Sequence, residues 1–308
     1  MKMLSFISNF KNNLIVLSFF SLCILVMAYS GIIFITNPKI DITQAPNPYL
    51  ENTIIAEEYI FEKKDAPVVI AGSSISKTML NEIIIDDINY WNLSFTASTP
   101  LQSLNLISKS NSNPEIILIE IGWGILNIAD NKKEIDTLTD PRLYAMKRFL
   151  PAFRKKYQPV NIINSYANRY IFKYREIDKS QVKEIKPEPK AYKVGLNGYL
   201  RLSENRPYDQ IDSVLREMRR IIVDLEKRNI RVLFFETPMD KHLAEADAIL
   251  RIKQKALFYF PAGKYTWISP PSEPGYVTTD GVHLTFASAC KFYDYLRRET
   301  ELLAQSKI

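Results

Sequence analysis

Twenty-two consecutive residues without a charge, Leu14 to Ile35 (LIVLSFFSLCILVMAYSGIIFI), set the first constraint on this 308-residue chain. At about 1.5 Å per residue a helix of that length reaches roughly 33 Å, the thickness of a bilayer's hydrocarbon core. The run predicts a membrane-spanning helix over 14–35. A cleaved signal peptide is the competing reading, but its apolar region is shorter and its small-residue site follows the run, whereas Ala28 to Gly31 lie inside it. Lys2 and Lys11 precede the span, and Lys39 follows it with Asp41 close by. The positive-inside rule then puts residues 1–13 in the cytoplasm and the bulk of the chain outside, as a single-pass membrane protein.

Residues 36–65 hold three prolines in TNPKIDITQAPNPY and read as a linker. Beyond it, short β-rich apolar runs alternate with helical patterns. Val68 to Ala71, Ile88 to Leu93, Glu115 to Ile121 and Arg231 to Glu236 are expected strands, apolar enough to be buried on both faces. Gln210 to Arg228 repeats apolar residues at helical spacing, and Phe286 to Leu303 forms a last helix. Strand followed repeatedly by helix implies an α/β domain with a parallel sheet. Residues from about 130 to 205 interrupt the alternation and read as a helical insertion or cap.

The formal net charge is +6. Between Arg142 and Lys193 fourteen Lys/Arg face four Asp/Glu, a local +10 that leaves −4 for the remainder. Cations there (Arg148, Arg154, Lys155, Lys156, Arg169, Lys173 and Arg175) interleave with Tyr144, Phe153, Tyr157, Tyr166, Tyr170 and Tyr174. Such a mixture suits an anionic glycan or lipid headgroups, or is simply a solvated helical face over buried aromatics. Nucleic acid needs the same ingredients, but a compartment outside the cytoplasm argues against it. The two cysteines, Cys23 in the apolar run and Cys290 near the C-terminus, cannot form a disulfide within the soluble part. Only two histidines occur, His242 and His283, and there is no His/Cys cluster, so a zinc site of the usual N/S type is not expected.

The stretch VVIAGSSISKTML, Val68 to Leu80, runs a strand into Gly72-Ser73-Ser74. A serine at the first turn of a helix is either an N-cap or a nucleophile beside unpaired N–H groups, and the motif alone does not choose. A nucleophilic serine needs a base. His242, in MDKHLAEAD, reads as an exposed position in a helix's first turn. His283, in TTDGVHLTF, has Asp280 three residues before it; the carboxylate can fold back onto one imidazole nitrogen while the other faces a serine. The bland reading of DGVH is an Asp-Gly turn ahead of a helix.

Together these pieces resemble the SGNH (GDSL-like) hydrolase superfamily. The corresponding stretches are Gly72-Ser73-Ser74, NLSFTAS at Asn92 to Ser98, LIEIGWG at Leu118 to Gly124, and Asp280-Gly281-Val282-His283, in the expected order across residues 66–305. The resemblance implies a flavodoxin-like three-layer fold with a parallel central sheet, carrying the N-terminal transmembrane helix and the insertion. It makes Ser74 the nucleophile, His283 its base and Asp280 the orienting carboxylate. Backbone N–H groups of Ser74, Ala97 and Gly124 would form the oxyanion hole.

Gly124 stands where the family has an asparagine, leaving Trp123 and Asn127 as nearby substitutes. That departure, with GSS in place of GDS, resembles the membrane-anchored branch that serves D-alanyl transfer to teichoic acid and alginate O-acetylation. By that resemblance the substrate is a cell-envelope polysaccharide, the partner a membrane-bound O-acyltransferase, and the activity that of an esterase or O-acyltransferase without cofactor or metal. The alternative is a catalytically weak domain that binds an envelope glycan or that partner.

Overall fold

In the computed structural model, which describes residues 2–36, 38, 48–79, 87–110, 112–127, 137–170, 183–204, 209–271 and 275–305, the apolar runs pair into a parallel sheet. Its strands are β1 (Val68–Ala71), β2 (Tyr90–Asn92), β3 (Ile116–Glu120), β4 (Arg231–Phe235) and β5 (Thr266–Ile268), in the order β2-β1-β3-β4-β5. Val68 stands opposite both Tyr90 and Ile116, Leu118 opposite Leu233, and Leu233 opposite Thr266. The four expected strands are present. β5 escaped the sequence reading because it is three residues long and two of them, Thr266 and Trp267, are only half-buried.

Ten α-helices lie among the described residues: α1 (Lys2–Thr36), α2 (Pro48–Glu58), α3 (Pro100–Lys109), α4 (Pro141–Phe149), α5 (Pro159–Tyr170), α6 (Pro189–Glu204), α7 (Asp209–Glu226), α8 (Lys241–Ala244), α9 (Asp247–Tyr259) and α10 (Phe286–Gln305). One sheet face carries Val68, Ile70, Ile116, Leu118, Leu233 and Phe235, packed with Ala289, Phe292, Tyr293 and Leu296 of α10. Successive strand residues point to opposite faces, and the alternate positions Val69, Ile117 and Phe234 are fully buried too. α3 and α7 touch β1, β4 and each other. Helical cover on both sides explains why these strands read as continuous apolar runs.

From β1 the chain runs outward to β2 and then returns to β3 on β1's other side. At such a reversal the loops leaving the carboxyl ends diverge and open a crevice, the usual ligand position in open α/β sheets. The loops leaving β1 and β3 begin Gly72-Ser73-Ser74 and Ile121-Gly122-Trp123.

The chain divides into two units, Met1–Pro46 with Asp140–Tyr174, and Asn47–Thr139 with Arg175–Ile308. The stretch expected as one insertion over 130–205 is therefore shared: residues 140–174 group with α1, whereas α6 belongs with the sheet. In the first unit Ile33 and Tyr157 are buried together with Tyr29, Ala152 and Ile162 against them. The Tyr29 hydroxyl donates to the Tyr157 carbonyl at 2.7 Å. The side chains of Arg169 and Tyr170, and Lys173, Tyr174 and Arg175 altogether, lie outside the described residues.

Residues 48–63, expected within the linker, form α2 and a π-helical turn, Tyr59–Lys63. The prolines misled the reading, since Pro48 is the first residue of the helix, where a missing N–H costs nothing. Ile54, Ile55, Tyr59 and Ile60 are buried, and the Tyr59 hydroxyl bonds Ser112. Tyr59→Ala should accordingly cost about 3–5 kcal/mol of stability, the usual range for deleting a buried aromatic. Chemical unfolding in detergent checks this; a loss under about 1 kcal/mol, typical of exposed sites, would return the segment to linker status.

Candidate active site

The turn after β1 is shaped by a buried acid at the end of β3. Glu120 accepts the Ser73 N–H on Oε2 at 2.9 Å and the Ser73 hydroxyl on Oε1 at 3.0 Å. It also takes the Ser76 N–H at 3.2 Å and the Ser76 hydroxyl. A carboxyl group out of water needs such partners, because each unmet polar atom costs roughly 1–3 kcal/mol. A side chain at Gly72 would press within 2.7 Å of both Glu120 and Ser94, so only glycine lets the turn close on the carboxylate.

Ser73 is held within the turn. Its hydroxyl accepts the Ile75 N–H at 3.2 Å, and its carbonyl accepts the Lys77 N–H at 3.1 Å ahead of a 3₁₀ turn, Ser76–Thr78. Ser74 is left to face elsewhere. Its Oγ lies 3.0 Å from His283 Nε2, and His283 Nδ1 lies 2.7 Å from Asp280 Oδ2. The other oxygen, Asp280 Oδ1, accepts the N–H groups of His283 (2.9 Å) and Val282 (3.1 Å). Gly281 between them has φ 101°, a conformation open to glycine that folds Asp280 back onto the imidazole.

Burial would raise the Asp280 carboxyl. Hydrogen bonds from the His283 ring and N–H, the imidazole's charge and the Val282 N–H outweigh it and hold the carboxyl below the ordinary aspartate range. An ionised Asp280 can only accept, so His283 Nδ1 is the donor and Nε2 is left to accept from Ser74. Residues more than two hundred positions apart thus meet in a serine–imidazole–carboxylate chain of hydrogen bonds. His242, the other histidine, is exposed beside Asp240.

Gly124 touches this arrangement through Ser73. A Cβ there would meet the Ser73 side chain at 2.5 Å and Glu120 Oε1 at 3.1 Å. The asparagine of the resembling family has no room at this position. Asn127 donates from Nδ2 to the Ser98 carbonyl at 3.1 Å, which ties the β3 loop to the β2 loop. Ala97, in that β2 loop, is exposed with φ 53°. Its neighbour Thr96 is clamped by Asn52, whose side chain donates to the Thr96 carbonyl (2.9 Å) and accepts its N–H (2.8 Å). Lys77, ion-paired with Glu51, donates to Thr96 Oγ1 at 2.7 Å. Burial lowers the Lys77 amine against the pull of Glu51. Among the described residues no acceptor takes the N–H of Ser74, Ala97 or Gly124.

α6 supplies residues that the sequence reading overlooked. The Tyr199 hydroxyl lies 3.5 Å from His283 Nδ1, and its ring meets Trp123 edge-on at 5.1 Å. Burial, then the charge of Asp280 and a hydrogen bond to it, push the Tyr199 phenol up to about 12, so it stays a donor at neutral pH. Gly195 brings the helix onto Asp280, since a Cβ there would sit 2.6 Å from the Asp280 Cβ. Tyr192 donates to Asp240 Oδ2 at 2.5 Å. A glycine inside KVGLNGYL was the available signal of close approach. Glu120 also went unnoticed, although an acid closing the apolar strand IILIE marks a buried polar knot.

Among the described residues no group of three or more His, Cys, Asp or Glu side chains stands together as a metal site. No family model matches the chain, and no curated protein matches it.

Two stability measurements follow. Glu120→Gln should cost about 1–3 kcal/mol, because the amide presents donors where four donors converge; Glu217→Gln, at an exposed ion pair, should stay within about 0.5 kcal/mol. Equal effects would mean that Glu120 does not organise the turn. Asp280 has a lowered folded value, so its contribution exists above the unfolded aspartate value, about 3.9, and is lost as pH falls through the folded one. Asp280→Asn should therefore melt below the wild type at pH 7, and the gap should close as pH falls below the unfolded aspartate value and through the lower folded one. A pH-independent gap would contradict that sign.

Proposed function

We propose that this chain is a membrane-anchored, SGNH-like serine esterase or O-acyltransferase that acts on a cell-envelope polysaccharide outside the cytoplasm. The observation that carries the reading is the hydrogen-bonded chain Ser74 Oγ, His283 Nε2, His283 Nδ1, Asp280 Oδ2, at 3.0 and 2.7 Å. It is seated at the sheet's reversal point, and the ordered motifs of the resembling superfamily support it. α1 contains a 24-residue stretch, Asn13–Thr36, long and apolar enough to cross a membrane.

On this reading Ser74 Oγ attacks the acyl carbonyl carbon while His283 Nε2 takes its proton. Backbone N–H groups of Ser74, Ala97 and Gly124 receive the developing oxyanion. The tetrahedral adduct collapses, the alcohol leaves with the proton returned by His283, and the acyl group stays on Ser74. Water, or a sugar hydroxyl, then attacks the acyl-serine as His283 takes its proton; the Ser74 Oγ–acyl bond breaks and His283 returns the proton to Ser74 Oγ, and the first outcome is hydrolysis and the second is transfer. Asp280 fixes the imidazole tautomer throughout.

A second reading, a domain that binds a glycan or an acyltransferase partner without turnover, draws on Gly124, which offers no side-chain donor. A fluorophosphonate probe and p-nitrophenyl acetate, applied to the detergent-solubilised full chain, separate the two. The expected result is labelling of the wild type, none of Ser74→Ala, and a drop of roughly 10²–10⁴ in kcat/KM for Ser74→Ala and Asp280→Asn. Labelling and turnover unchanged in Ser74→Ala would sink the catalytic reading.

A further inference from the structure

The unit formed by α1 with residues 140–174 buries Ile33 and Tyr157, yet it turns other apolar side chains outward and some polar ones inward. In α5, Asn161 and Ser165 are buried, at 8% and 4% exposure, whereas Val160 and Ile163 are 57% and 65% exposed. Asn161 donates from Nδ2 to the Lys155 carbonyl at 2.7 Å, so its amide is committed inward. Phe149, at the end of α4, is 77% exposed, and Phe153 and Tyr166 are exposed as well. In water such a helix would turn Val160 and Ile163 in and Asn161 out. The outward solvent for which this arrangement is stable is apolar.

The position of the segment along α1 says which apolar solvent. Ala152, Tyr157 and Ile162 pack on Tyr29 and Ile33, and the Ala152 N–H donates to Ser30 Oγ at 3.4 Å. Tyr29 is seven residues, or roughly 10 Å of helix, before the end of the span at Thr36. If α1 crosses a bilayer, a segment bound there lies between the headgroups and the upper acyl chains, the depth of roughly 5–10 Å at which interfacial amphipathic helices sit. Residues 140–167 also carry six Lys/Arg against a single acid, Asp140. Basic residues beside exposed aromatics and aliphatics match an anionic membrane surface.

We infer that residues 140–167 form an interfacial membrane-binding element, seated in the same leaflet as the C-terminal end of α1. Phe149, Val160 and Ile163 enter the acyl region, and Arg142, Lys147, Arg148, Arg154, Lys155 and Lys156 face anionic headgroups. The anchor is then a span plus a collar rather than a tethered helix. The inference rests on α1 spanning the membrane and is independent of the chemistry at Ser74.

Nitroxide labels at Phe149→Cys and Ile163→Cys, in a full-length Cys23→Ala/Cys290→Ala background, test it. The labelled proteins are reconstituted into phosphatidylcholine–phosphatidylglycerol vesicles. Leu25→Cys, in the span, is the lipid reference, and Arg219→Cys, on the exposed face of α7, the aqueous one. The expected result is that labels at 149 and 163 are several-fold more accessible to oxygen than to a water-soluble nickel chelate, as at 25 and opposite to 219. Ratios at 149 and 163 matching that at 219 would overturn the collar. Labels closed to both reagents would overturn it too, by putting a second copy of the chain on that face. An aqueous reading at 25 would overturn both span and collar, and probe labelling of Ser74 in the same samples reports the catalytic reading separately.

Discussion

The Glu120 carboxyl group, removed from water at the end of β3, is the constraint around which the carboxyl end of the sheet is built. A carboxyl group in that position is tolerable only if hydrogen-bond partners surround it, since a buried polar group left unpaired costs roughly 1–3 kcal/mol. Parallel pairing of β1 with β3, Ala71 opposite Ile119, brings the turn after β1 within reach of Glu120. That turn then gives up two N–H groups and two hydroxyls to it. Four donors closing on one carboxylate leave no space for a side chain at Gly72 or Gly124. Ser73 and Ser76 are spent on the knot, and Ser74, the member of the turn that Glu120 does not hold, is the one that meets His283.

The imidazole is held from two sides. Its own loop supplies Asp280, positioned by the left-handed Gly281 and by two backbone N–H groups. From a distant part of the sequence, α6 adds Tyr199 edge-on beside the ring and packs Gly195 directly on Asp280. α6 is in turn fastened by Tyr192 to Asp240, whose N–H donates to the Gly281 carbonyl at 2.8 Å. The tautomer therefore depends on helix packing as well as on one acid.

Much of this was legible in the sequence where a local pattern and a physical demand coincide. The apolar strands announced themselves because they are buried on both faces, and the Asp280–His283 spacing announced a turn that can fold back on itself. What stayed hidden depends on contacts between distant segments. Glu120 looked like the polar end of a strand, because the serines that satisfy it lie more than forty residues earlier. α2 was masked by prolines that start a helix instead of breaking one. The basic segment looked uniform in charge, yet its two halves bury different faces, one against Tyr29 and Ile33 and the other against Asp280.

Gly124 raised the question whether a site without a side-chain oxyanion donor can turn over, since losing one donor elsewhere costs roughly 10²–10³ in rate. The packing reframes that question. On the acyl-serine reading the hole is built from backbone N–H groups alone, and backbone groups are only as well aimed as the loops that carry them. Each loop is fastened by polar side chains that are buried or half-buried: Glu120 for the turn of Ser74, Asn52 and Lys77 for the loop of Ala97, and Asn127 for the link between that loop and the one bearing Gly124. On that reading preorganisation lies in the supports of three loops rather than in one donor side chain. Catalytic power on this reading is then most exposed to changes at Asn52, Lys77, Glu120 and Asn127, residues with no place in the reaction itself.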